Sequence, residues 1–216
     1  MRFTMTRTLL GLCLILLSAI AFSQFASADY PKPSPYPIAW QFQFQHDVPK
    51  RVVVDTGKDA PVAYYYMTYT VTNNTGEERT FLPLFELLTS DGRVIRSDQN
   101  IPRKVFDAIK EREKKQFLEP WTKIGGELRL GDDQARDGVA IWAEPAARMG
   151  KFNIFVGGLS GEAVHLKNDK GEDLKDKEGN PIILRKTLQL DFHIRGDEVY
   201  RGEDPVDPSP ETWIMR

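Results

Sequence analysis

The chain has 216 residues, with 29 Lys and Arg against 31 Asp and Glu and a formal net charge of −2. That balance excludes a nucleic-acid or anionic-membrane binder driven by a cationic surface, because counterion release supplies most of the affinity for such partners and requires a clear positive excess. A lone cysteine, Cys13, excludes an intramolecular disulfide framework, and the length suits one well-buried core with chain to spare.

Residues 1–28 read as a signal peptide. Arg2 and Arg7 precede an apolar run from Leu9 to Phe22, too short for a stable span, and Ala26-Ser27-Ala28 places small side chains at the cleavage positions. Cys13 sits inside that run and leaves with it, so the mature chain, starting at Asp29, keeps no thiol for catalysis or metal ligation. The expectation is an exported protein, periplasmic or extracellular, with no stable membrane span after cleavage.

Residues 29–38 form a proline-rich spacer, with Pro31, Pro33, Pro35 and Pro37 favouring extended backbone. A β domain follows over 39–194. Trp40, Phe42 and Phe44 alternate with glutamines, a period of two that puts the rings on one face of a strand. RVVVD at 51–55 and VAYYYMTYTVT at 62–72 are further strands, and NNTGEE is a turn expected to close a hairpin onto RTFLPLFELL. Pro83 should confine that strand to an edge or a bulge. Ser90-Asp91-Gly92 turns the chain into RVIR.

The period then changes. Val105, Phe106 and Ile109 recur at helical spacing behind Pro102, which predicts one amphipathic helix at about 102–117 laid across a sheet. Strands resume in ELRL, GVAIW, KFNIFVGG and IILRKTLQLDFHI. In GVAIW, Trp142 shares a face with Ala140 while Val139 and Ile141 point the other way, so both faces of this strand should be covered. Leu184, Lys186, Leu188, Leu190, Phe192 and Ile194 share one register in the last strand. Residues 195–216 read as an extended strap whose terminal Trp213, Ile214 and Met215 dock on the domain, since holding them in water would forgo about 1.5–3 kcal/mol for each large side chain.

FVGGLSGE at 155–162 is the nearest approach to a site motif. A Walker loop needs Lys and a hydroxyl residue after its last glycine, but Gly161 is followed by Glu162. The dinucleotide pattern lacks its spacing and its helix, and a nucleophile elbow misses its final glycine by one place. The glycines are therefore read as a strand-end turn. An alternative function, a hydrolase or metal-dependent enzyme, would use Ser160, His193 and Asp191, because Asp191 and His193 form a same-face histidine–carboxylate pair. Asp132, Asp133 and Asp137 lack the spacing of a calcium loop. KNDKGEDLKDKEGN at 167–180 reads as an exposed loop with a loose internal pair. Arg195-Gly196-Asp197 is taken as a chain reversal and Asn73-Asn74-Thr75 as a formal glycosylation acceptor. No catalytic, cofactor-binding or metal-binding residues are assigned, and no cofactor is expected.

YMTYTVTNNTGEERTFLPLFELLTSDGRVI, IPRKVFDAIKERE, GDDQARDGVAIW, FNIFVGGLSGE, ILRKTLQLDF and the terminal WIMR together resemble an uncharacterised family of secreted bacterial proteins. The strand–NNTGE–strand opening and the loop rising into GVAIW also resemble the immunoglobulin-like domains of bacterial envelope proteins and extracellular immunoprotective antigens. The resemblance implies export and a β-sandwich, and brings no catalytic residues with it. The expected fold is thus an all-β, immunoglobulin-like antiparallel β-sandwich with one inserted helix. The expected function is a non-catalytic binding or structural module whose partner is an envelope protein or polymer.

Overall fold

The computed structural model describes residues 30–57, 60–144, 149–195 and 206–216. It is mainly β, with antiparallel sheets. The first sheet is organised by β3 (Val62–Thr72), whose length lets it carry two partners end to end on one edge: β1 (Gln43–His46) opposes Thr72–Tyr69, and β2 (Lys50–Val54) opposes Tyr66–Val62. The other edge of β3 pairs with β8 (Arg136–Ala143). The second sheet runs from β6 (Val94–Arg96) through β5 (Leu84–Thr89) and β9 (Lys151–Gly157) to β11 (Ile183–Ile194). Beyond Gly157 the chain continues along β11 as β10 (Ala163–His165). β4 (Arg79–Phe81) and β7 (Gly126–Leu128) make a small separate ribbon.

The two sheets face one another across a shared core. Met67, Tyr69 and Trp142 enter it from the first sheet, and Phe85, Ile154 and Leu190 from the second. Alternate residues of the same strands feed a second core: Tyr64, Tyr66, Val139 and Ile141 pack on the outer face of the first sheet beneath α1 (Arg103–Glu113), which contributes Val105 and Ile109. Both faces of β8 are covered, as the alternation of Ala140 and Trp142 with Val139 and Ile141 implies. Val105 and Ile109 stand four residues apart, on one helical face, so the helix binds through a single stripe. It stops before the expected residue 117, because Lys114 turns to a left-handed φ of 53° and donates its N–H to the Lys110 carbonyl. A second short helix, α2 (Trp121–Ile124), follows behind Pro120.

The hairpin expected across NNTGEE does not form. Both edges of β3 are taken by β1, β2 and β8, so the chain must leave for the other sheet. Asn73 directs the departure: its buried Nδ2 donates to the carbonyls of Glu77 at 2.9 Å and Leu128 at 2.8 Å. A glycan on that nitrogen would replace one of its two hydrogens and so break at least one of these buried bonds. Pro83, lacking an amide donor, falls between β4 and β5.

The segment 166–182 is a three-way backbone junction. The N–H of Leu174 donates to the Leu166 carbonyl, that of Ile182 to Leu174, and that of Leu166 to Ile182, closing a ring. Three arms leave it: the pair of β10 with β11, and two small hairpins bridged at Lys167–Asp173 and Lys175–Pro181. Each hairpin is closed by an Asx turn, in which Asn168 Oδ1 accepts the amides of Lys170 and Glu172, and Asp176 Oδ1 those of Glu178 and Asn180.

Of the expected strap at 195–216, residues 196–205 lie outside the described residues, while the described part joins the sheet as strands. β12 (Val206–Pro208) and β13 (Thr212–Met215) pair with the edge of β11 opposite β9. Between them, Ser209, Pro210 and Glu211 oppose only Leu190 and Asp191, a bulge that accommodates the proline. Met215 is buried and Trp213 half-buried, with Lys186 Nζ 5.2 Å from the indole centroid. The second and third residues of Arg195-Gly196-Asp197 lie outside the described residues, as do residues 1–28.

Candidate functional site

The motif that drew most attention in the sequence has structural work. Gly158 holds a φ of +83° with its α-carbon against the Leu82 carbonyl, and a Cβ on Gly161 would overlap the Trp40 indole. Leu159 between them is fully buried. Ser160 Oγ donates to the Trp40 carbonyl at 3.1 Å and accepts the Glu162 amide, so this hydroxyl is spent on the turn. Asp191 and His193 sit on the stretch of β11 opposite Asn153 and Lys151, and the strand from Asn153 to Gly157 alone spans about 13 Å before the turn begins. The structure does not bring Ser160 to them. Asp191 instead accepts from Asn153 and Gln189, while His193 is exposed. Among the described residues, no group of three or more His, Cys, Asp or Glu side chains is arranged to hold a metal ion.

A different region has the form of a site. A groove of about 1010 Å3 opens beside α1, walled by the Phe106–Lys110 side of that helix, by the segment from Gln116 to Lys123 and by the start of β8. Its size is at the top of the range of ligand pockets, about 300–1,000 Å3. Local chemistry holds these walls. Val105 and Ile109 fix the helix from beneath. Leu118 is buried, and its carbonyl accepts Lys110 Nζ at 3.1 Å. The Glu119 amide donates to Asp137 on β8, forming a parallel bridge at Gly138. Arg136 reaches back to Glu119 Oε2 at 2.5 Å.

Two large rings remain in water on this surface. Phe117 is 76% exposed and Trp121 54%. Phe117 follows the left-handed turn that ends α1, and Trp121 opens α2, so a neighbouring turn fixes the position of each.

Asp98 lines the same groove. It follows β6 with a φ of 62°, a left-handed conformation that is costly for most residues and tolerable for Asp. Its amide donates to the Ile141 carbonyl at 2.7 Å, its Oδ2 accepts the Ser97 hydroxyl at 2.5 Å, and its Oδ1 is buried without a hydrogen-bond partner. Burial pushes this carboxyl up to about 7, against the opposing bond from Ser97. A strained, part-neutral acid with a spare oxygen in a groove is a feature that functional sites concentrate. It also has a consequence for stability.

Asp98 holds its proton more tightly folded, at about 7, than unfolded, at its ordinary 3.8. Its contribution therefore favours folding fully below about pH 4 and is lost as pH rises through about 7, a change of a few kcal/mol at about 1.4 kcal/mol per pH unit. Asp98→Asn is expected to remove that decline and to melt above wild type at pH 8. Thermal melts of both proteins from pH 4 to 8 check it, and parallel curves would contradict it.

Asp98, Phe117 and Trp121 were not singled out in the sequence. The isolated aromatics of KKQFLEPWTK, set among charges without strand or helix period, were a signal open to reading; the burial of Asp98 was not. No described helix is long and apolar enough to cross a membrane. No protein-family model matches the chain, and no curated protein or solved structure is significantly similar to it.

Proposed function

We propose that this chain is an exported, non-catalytic binding module of the cell envelope or extracellular space, and that it takes its ligand in the groove beside α1. The observation that carries the reading is the placement of Phe117 and Trp121, exposed on the wall of a groove large enough for a ligand. Exposed aromatic area on a rigid concave surface is recovered on binding, and such rings commonly anchor recognition sites. Export is supported by the apolar run and small residues before Asp29, and an immunoglobulin-like arrangement by the two facing antiparallel sheets.

The purified protein is expected to be retained on washed envelope polymer from the producing cell. Trp121→Ala with Phe117→Ala should reduce that retention by about tenfold or more while leaving the melting temperature within about 1–2 °C, because substitutions at exposed positions cost little. Equal retention of wild type and double variant would overturn the assignment of the groove.

A further inference from the structure

Most of the groove's charges already have partners, Lys123 being the exception among the described lining residues. Arg136 is held by Glu119, Arg103 stands 3.7 Å from Asp107 one turn along α1, and Lys110 is spent on the Leu118 carbonyl. Asp137 accepts the Thr70 hydroxyl at 2.6 Å. Acids and bases among the described lining residues nearly balance. A polyanion or polycation would meet no uncompensated array here and would have to displace pairs already formed. A lipid chain or an apolar peptide would press against these ions and strip their water without returning hydrogen bonds. An extended peptide could not add to β8 along this wall either, since Glu119 already bridges its edge at Gly138.

One ligand chemistry fits what is left. A pyranose ring has an apolar C–H face and a rim of hydroxyls that both donate and accept. Its face can cover an exposed ring such as Trp121 or Phe117, while its rim bonds paired carboxylates and guanidinium groups without disturbing their charge balance. The volume suits several linked rings rather than one.

We infer that the groove binds a neutral oligosaccharide, with Trp121 and Phe117 as stacking platforms. The inference rests on the groove being the binding surface.

The test uses the full mature chain and calorimetric titration with cellohexaose, maltohexaose, xylohexaose, mannohexaose and chitohexaose, with hexagalacturonate as the anionic counterpart. At least one neutral hexasaccharide is expected to bind saturably and more tightly than hexagalacturonate. Its affinity should fall about tenfold or more in Trp121→Ala, the loss of one stacked ring and its buried area, and recover most of the way in Trp121→Phe. Three results overturn the inference: no binding by any neutral hexasaccharide, tighter binding of hexagalacturonate, or an unchanged affinity in Trp121→Ala. If envelope retention still depends on Phe117 and Trp121 while these sugars fail, the ligand class falls and the groove stands. If retention is also indifferent to the two rings, the groove itself falls.

Discussion

Trp142→Ala is expected to lower stability by about 3–5 kcal/mol, the range for emptying the site of a large enclosed ring. The indole is 1% exposed in the core between the sheets, and its Nε1 donates to the Ile95 carbonyl at 3.2 Å. Truncation therefore leaves a cavity and removes that hydrogen bond. Ile95 lies on β6 just before Ser97 and Asp98, so the variant should also loosen the loop that lines the groove. Urea titration measures the first effect. A loss below about 1 kcal/mol, typical of surface positions, would place β8 at the periphery.

Deleting residues 211–216 is expected to lower the melting temperature by about 10 °C. The deletion removes β13 and the backbone pairs it makes with Lys186–Gln189 on β11. Met215 is buried, Trp213 lies under Lys186, and Arg216 stacks over Phe155 at 4.3 Å while pairing with Glu86. Recovering the two apolar side chains alone accounts for about 3 kcal/mol or more, at about 2–4 °C per kcal/mol for a domain of this size. Lys186 also forms a buried ion pair with Glu162 at 3.1 Å, and Glu162 in turn accepts the Ser34 amide at 2.6 Å. Loss of β13 thus opens the water-poor surroundings of a charge pair that anchors the proline-rich arm. An unchanged melting temperature would mean that the terminal residues contribute no packing and are held for a partner.

The strands were legible where a two-residue period met a solvent-facing side, as in Leu188, Leu190 and Phe192; of Trp40, Phe42 and Phe44 only Phe44 lies in a strand, β1, although Phe42 is buried as the period implies. The helix was legible from Val105 and Ile109, and its end was missed because a lysine in the left-handed region carries no compositional mark. Strand partners were not legible. NNTGEE has the composition of a hairpin turn, yet β3 pairs with β8 some seventy residues later, and such distant competition for an edge leaves no trace in local periodicity. The site was hidden for the same reason. Asp98 stands in an ordinary polar turn of the sequence, and it becomes unusual only in the fold, where the Ile141 carbonyl of β8 accepts its amide and its Oδ1 is buried.

The ring joining Leu166, Leu174 and Ile182 makes the two small hairpins independent of the sheet that carries them. Each is closed at its base by backbone bonds to the junction, and each turn is stabilised by its own Asx side chain, so neither depends on the other's length. New sequence placed between Asn168 and Glu172, or between Asp176 and Asn180, would give up that turn's Asx bonds and incur the slow logarithmic cost of a longer loop, while leaving the register of β10 against β11 untouched. The protein thereby carries two adjacent ports for inserted peptides, where a lineage or a designer can display foreign segments without renegotiating the core.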